Sequence, residues 1–388
     1  MSRFFSYLNS TEELVKQYKC EEPLASFLKK RYAQHKKYGS KDRKYISHLC
    51  YCYFRLGKIE KPVSVKERIL TALFLCSSSS NELLALEKPE WNKNVALSLV
   101  DKCAIIGQSY SFEDNFPWKH QLSEGIDQST FCASFFIQPD VFLRIRPGKS
   151  KQVKDKLTRA GIPYNIIDDD SIAVSATTKI DEAIIINKDA VIQDYSSQRV
   201  IDIMKQLALP EAAQAWDCCA ASGGKSIMLY DLFPKINLTV SDIRESIVAN
   251  LRKRFSEAGI TAYRHFIADL TAAAPAAKPS SFDVVVADVP CSGSGTWSRT
   301  PEQLFFFEEN KIVEYAALQQ KIISSVLPAI KKNGYFLYIT CSVFQKENEE
   351  NVAFIQERMK LKLIDRKIIK GYTQKADTMF AALFRKNE

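Results

Sequence analysis

Residues 283–288 read Asp283-Val284-Val285-Val286-Ala287-Asp288, and Val289-Pro290-Cys291-Ser292-Gly293-Ser294-Gly295 follow. Four apolar residues in a row, mostly β-branched, predict a strand buried on both faces, as in a parallel sheet. The proline and the Ser/Gly run end that strand and predict a loop at its carboxyl end. On either side the chain alternates between strands and helices. Residues 213–217, 237–240, 264–268 and 335–340 have strand character, and residues 244–258 and 308–331 have helical periodicity. From about residue 191 onward this predicts a doubly wound α/β sheet, a Rossmann-like fold that binds ligands at the carboxyl ends of its strands.

Upstream the pattern changes. Residues 141–146 alternate like a strand, residues 150–160 form a basic helical stretch, and residues 164–167, 172–174 and 183–186 are short β-type runs. Together they predict a small α+β module. Its cations Arg144, Arg146, Lys149, Lys151, Lys154, Lys156 and Arg159 form a candidate nucleic-acid surface. Residues 1–125 are helical in pattern, notably 24–32, 45–56 and 65–75, with Ser40 in position to cap the second of these helices. The expected division is a helical domain over 1–129, the α+β module over 130–190 and a catalytic domain over 191–388. The low-complexity tracts are Ser77–Ser80 and an alanine-rich stretch at 272–277.

The chain has 388 residues, a length that calls for more than one core. Its net charge is +9, and residues 1–68, with 16 basic and 7 acidic side chains, account for all of it. A basic block in an otherwise neutral chain points to a polyanionic partner, although a solvated basic face has the same composition. No apolar run reaches the roughly 20 residues of a membrane span, and residues 1–9 lack the apolar core of a secretory leader. A cytoplasmic protein without membrane contact is expected. The ten cysteines include no CxxC pair and the four histidines are scattered, so neither a disulfide framework nor a metal site is expected.

Three features carry chemistry. Asp217-Cys218-Cys219-Ala220-Ala221-Ser222-Gly223-Gly224-Lys225 joins a strand to a helix through small residues that let a ligand approach the backbone. It is neither a full GxGxxG nor a Walker loop, which disfavours a dinucleotide oxidoreductase. Asp242, Asp269 and Asp288 each close a successive strand. An acid after the second strand is the usual partner of ribose hydroxyls, although any one of them alone could be a turn cap. Finally, Cys291 and Cys341 both sit just past strands on the ligand edge, Cys341 within Thr340-Cys341-Ser342. A single cysteine is usually a packing residue, but two at neighbouring strand ends form a specific constellation.

Taken together, these motifs resemble the RsmB/Sun (Fmu) family of RNA cytosine-C5 methyltransferases. The resemblance rests on Gln193-Asp194-Tyr195-Ser196-Ser197-Gln198, the 217–225 loop, Asp288-Val289-Pro290-Cys291, Arg299-Thr300-Pro301-Glu302, and Thr340-Cys341-Ser342 with Glu347-Asn348-Glu349. A weaker similarity links Gly39-Ser40-Lys41-Asp42-Arg43 to a NusB-like helical domain, and residues 130–190 to an RNA-recognition-like module. One departure stands out: Ser222 occupies a position where the family usually has proline.

The resemblance implies S-adenosylmethionine as cofactor, held by Cys219, Ala220, Ala221, Ser222, Gly223, Gly224 and Lys225, with Asp242 on its ribose, Asp269 near its adenine and Asp288 at cofactor or base. It implies Cys341 as the attacking nucleophile, Cys291 in product release, and Lys225 and Asp288 at the target base. From the residues alone the two cysteine roles stay open, because DNA cytosine methyltransferases attack from the Pro-Cys position. The implied partner is RNA, small-subunit ribosomal RNA first and transfer RNA second, acted on by a monomer. Methylation of DNA cytosine or of an exocyclic amine, and an inactive RNA-binding assembly factor, are the rival readings. A second cysteine argues against the amine, and two intact cysteines argue against the inactive factor.

Overall fold

The computed structural model describes residues 3–35, 38–60, 64–272 and 277–387; most of the alanine-rich stretch, 273–276, lies outside the described residues. Two compact units emerge.

The first unit is helical and comprises residues 1–122, 126–138 and 296–308. Its longer helices are Arg3–Gln17, Leu24–Gln34, Ser40–Arg55 and Val65–Cys76. Their apolar faces bury Leu49, Phe54, Leu73 and Phe74 completely. Ser40 is not the cap of its helix. Gly39 occupies that place, and Asp42 reaches back to accept from the Gly39 amide at 2.8 Å. The segment 296–308 contributes the short helix Pro301–Phe306. Phe305 and Phe306 pack on Phe54, Trp297 packs on Phe116 and Trp118, and Glu302 accepts from the Leu24 amide at 3.2 Å.

The second unit holds two sheets. The smaller contains β1 (Val141–Ile145), β2 (Asn165–Asp168), β3 (Ser171–Val174) and β4 (Ala190–Ile192) in the order β2-β3-β1-β4. The helix Ser150–Arg159 packs Val153 and Leu157 into its core. Residues 183–186 do not form the expected strand. Asn187, at φ 65°, turns the chain there, and the strand starts at Ala190. Ile184 instead fills the core of the module.

The larger sheet contains β5 (Gln214–Asp217), β6 (Asn237–Asp242), β7 (Tyr263–Ile267), β8 (Phe282–Asp288), β9 (Ile330–Thr340), β10 (Lys362–Lys370) and β11 (Thr378–Arg385). Their order is β10-β11-β9-β8-β5-β6-β7. β5 to β9 run parallel, and β11 runs antiparallel to both β9 and β10. Val284, Val285 and Ala287 of β8 are fully buried, as a doubly covered strand requires. The helix expected over 308–331 covers only Asn310–Val326. Pro328, with no amide hydrogen to continue the ladder, is followed at Ile330 by β9. Among the described residues no helix is long and apolar enough to cross a membrane.

The two sheets are joined by buried charge. Arg144 and Arg146 of the small module both pair with Asp231, at 2.6 and 2.8 Å, and Arg146 also donates to the carbonyls of Asn187 and Ala258. Lys156 pairs with Asp189 at 2.7 Å. These three cations are therefore structural. Of the candidate nucleic-acid surface, Lys149, Lys151, Lys154 and Arg159 remain accessible.

Candidate active site

The site is built where β5, β6, β8 and β9 end on one edge of the sheet. β8 and β9 lie side by side with Asp288 opposite Ile339, so the residues just past them emerge together. Cys291 Sγ and Cys341 Sγ stand 3.2 Å apart, both half-buried. The contact with Cys341, together with burial, pushes the Cys291 thiol well above its ordinary range.

The two cysteine loops are tied together by Glu347, which is fully buried. Its Oε2 accepts from the Ser292 amide at 2.9 Å and from Gln319 Nε2 at 2.8 Å, and its Oε1 accepts from Ser342 Oγ at 2.6 Å. One carboxylate thus grips the residue after each cysteine. Burial raises its pKa, against the pull of those three donors. Gly295 adds a further tie, since its amide donates to the Cys341 carbonyl at 2.8 Å. A Cβ at Gly295 would fall 2.1 Å from the Thr378 carbonyl oxygen, so no larger residue fits.

Beside the thiols, Lys225 Nζ lies 3.0 Å from Asp288 Oδ2 and donates to Ser197 Oγ at 2.7 Å. Burial works against the charge on Lys225, but Asp288 outweighs it and raises the lysine's pKa, with Cys341 adding in the same direction. The ammonium therefore stays charged next to the thiol pair.

The loop after β5 forms the other wall. Gly223 has φ 85°, and a Cβ there would strike the Phe255 ring at 2.7 Å. Ala221 is also in the left-handed region, at φ 46°, a conformation that a non-glycine residue holds only when its surroundings enforce it. The enforcing group is Asp242, at the end of β6, whose Oδ2 accepts from the Ala221 amide at 2.9 Å. Burial opposes ionisation of Asp242, but the Arg244 guanidinium and amide keep its carboxyl below the usual range. Ser222, the departure from the family's proline, is fixed by a partner instead of a ring. Arg254 Nη1 donates to its Oγ at 2.7 Å and to its carbonyl at 3.0 Å. Asp217 is fully buried under the loop and accepts from Ser226 Oγ at 2.5 Å. Burial pushes its pKa up to about 7.

The structure thus brings Cys291 and Cys341 into contact, pairs Lys225 with Asp288, and joins Asp242 to the loop formed by Cys219, Ala220, Ala221, Ser222, Gly223 and Gly224. Asp269 stands apart, exposed two residues past β7, where its Oδ1 accepts from the amide and hydroxyl of Thr271. Ile243 and Ile267 are 58% and 48% exposed at this edge and give it apolar surface. Sequence reasoning assigned no role to Ser197, Gln319, Arg254 or Glu347. Glu347 and Ser197 lie inside motifs quoted above, but no periodicity marks a glutamate as buried, and no spacing pairs residues 32 positions apart.

The family model described as 16S rRNA methyltransferase RsmB/F matches residues 204–385. The chain is 29% identical over 175 residues to the ribosomal RNA small subunit methyltransferase B of Yersinia enterocolitica, covering 45% of this chain and 40% of that protein. It is 33% identical over 170 residues to the protein of the same name from Xanthomonas campestris, covering 43% and 38%. The matched stretch thus spans about two-fifths of the length of these curated relatives. In fold, the chain is similar to the crystal structure of PH0851, with a TM-score of 0.72 at 17% identity over 98% of both chains. A seven-stranded sheet of this order, a small-residue loop after β5 and paired cysteines past β8 and β9 accompany that match, and over residues 204–385 the chain is similar to the RsmB/F methyltransferases.

Proposed function

We propose that the protein transfers a methyl group from S-adenosylmethionine to C5 of a cytosine in RNA, with small-subunit ribosomal RNA as its substrate. The observation that carries this reading is the thiol pair, Cys291 and Cys341 at 3.2 Å, beside the Lys225–Asp288 ion pair.

The donor set suits that cofactor. Asp242 and the backbone of 219–224 offer acceptors and amides for its ribose and amino-acid groups, and Ile243 and Ile267 offer apolar surface for a base. When bound, S-adenosylmethionine supplies an electrophilic methyl group. Asp269, the third acid in this reading, would reach the adenine from its position past β7.

C5 of cytosine is too weak a nucleophile to react unaided. In the proposed cycle the Cys341 thiolate forms a bond to C6, and the electrons of the C5=C6 bond move so that C5 becomes nucleophilic. Attack requires the thiolate form of a cysteine, and the Lys225 ammonium is the cation that stands beside the thiol pair. Asp288, held by Lys225, hydrogen-bonds the base; N3 takes up a proton through the Lys225–Asp288 pair as C6 is attacked and returns it when C5 takes the methyl group. Once C5 carries its methyl group, a base takes the C5 proton and Cys291 helps release the product from the adduct. The C6–S bond then breaks, restoring the C5=C6 double bond and the Cys341 thiolate. The target base must leave its stack to reach this edge, which favours a loop or partly unfolded RNA.

The test is incubation of purified protein with small-subunit ribosomal RNA and methyl-labelled cofactor, followed by nucleoside mass spectrometry. Label in 5-methylcytidine is expected. Label confined to other nucleosides would overturn the reading, and label in transfer RNA alone would move the substrate.

A further inference from the structure

Lys225 has three N–H donors, and two are already engaged: Asp288 Oδ2 at 3.0 Å and Ser197 Oγ at 2.7 Å. The Ser197 hydroxyl is itself held. Gln193 Nε2 approaches the same oxygen at 3.2 Å. Gln193 is buried, its Oε1 accepts from Arg144 Nε at 2.9 Å, and its backbone carbonyl accepts from Gln198 Nε2 at 2.8 Å. Arg144 in turn pairs with Asp231 at 2.6 Å. Lys225 and Asp231 belong to one helix, Gly224–Leu232. A continuous polar chain therefore runs from β1 of the small module, through residues 193–198, to the ammonium at the site.

A hydroxyl oxygen accepts two hydrogen bonds. With Lys225 and Gln193 as donors, both are used, and Ser197 is fixed as an acceptor toward the lysine. We propose that Ser197 is a positioning residue for Lys225, oriented by Gln193, which leaves a single ammonium N–H directed toward the target base. The proposal rests on the methyl-transfer reading and deepens it. Without the hydroxyl, the lysine's flexible stem regains freedom, and its charge can move among the other groups that face it, namely Asp288, Cys341 and Asp217.

The test compares Ser197→Ala with Ser197→Thr in the full chain. Loss of one hydrogen bond to a charged donor corresponds to roughly a tenfold loss in kcat. Ser197→Ala should show that loss, with KM for RNA and cofactor affinity within about twofold of the parent. The alkaline limb of its kcat profile should move to lower pH, because an acceptor that favoured the charged lysine is gone. Ser197→Thr, which keeps the hydroxyl, should restore both. Ser197→Cys, similar in size with a weak acceptor, serves if alanine impairs folding. NMR titration of isotope-labelled lysine reads the Lys225 shift without turnover, so a parent protein that makes no 5-methylcytidine would count against the function while leaving Ser197 testable. An unchanged Lys225 titration and kcat in Ser197→Ala, or equal losses in alanine and threonine, would overturn the proposal.

Discussion

Cys291 Sγ and Cys341 Sγ touch at 3.2 Å, although 50 residues separate them in the chain. In the proposed reaction two thiols this close to each other can divide the work, and the division can be tested. Cys341→Ala should abolish methyl transfer, with no group left to activate C5. Cys291→Ala should still attack but stall at release, accumulating an RNA–protein adduct that survives denaturing electrophoresis. The double variant should form none. An adduct from Cys341→Ala but not from Cys291→Ala would reverse the roles.

Glu347 determines whether that contact survives. Glu347→Ala leaves the Ser292 amide, the Gln319 amide and the Ser342 hydroxyl without their acceptor in a dry interior. A cost of about 2–4 kcal/mol and a clear fall in melting temperature are expected. Glu347→Gln keeps the shape but turns an NH2 toward donors, so it should fold and yet lose most activity. Wild-type turnover in Glu347→Gln would mean that the cysteine loops hold themselves.

Arg254 does for Ser222 what a proline ring does for its own backbone. Arg254→Ala removes both hydrogen bonds to Ser222. Cofactor affinity measured by calorimetry should drop about fivefold to tenfold, while Ser222→Ala, which keeps the carbonyl bond, should lose less. Equal affinity in all three proteins would show that the loop needs no such support.

Buried carboxyls give the stability a direction with pH. Asp217 is pushed up to about 7 by burial, and Glu347 is raised for the same reason. Each binds its proton more tightly in the folded chain than in the unfolded one. Between the ordinary carboxylate range and about pH 7 the native state therefore holds more protons, and stability falls as pH rises through that window. Asp217→Asn removes one of these protons from the balance. Its melting temperature relative to the parent should climb from pH 5 to pH 8, and a flat difference would contradict the burial effect.

The sheet from β5 to β9 was legible because strand-like and helical stretches alternate there and because β8 and β9 carry apolar runs. The last two strands were not. The β11 segment Met379-Phe380-Ala381-Ala382-Leu383-Phe384 is apolar throughout and suits a buried helix as well as a strand, and β10 is an edge strand whose lysines break any alternation. The cysteines, Lys225, Asp242 and Asp288 could be picked out because they follow strand ends. The residues that hold them in place could not, since Glu347, Ser197 and Arg254 act through contacts formed only after folding. The same limit misread Arg144, Arg146 and Lys156, because a cation facing nucleic acid and one facing a buried aspartate look alike in sequence.

Residues 296–308 belong to the helical unit although they follow β8 in the chain. On the ribosome, the first unit to emerge is therefore the one that must wait. After residue 138, roughly 160 more residues must be made before Trp297 and Phe305 arrive, on the order of ten seconds or more at typical elongation rates. Through that interval Phe54, Phe116 and Trp118 lack the rings that cover them in the finished protein. Until residues 296–308 are made, the nascent helical unit lacks part of its aromatic core.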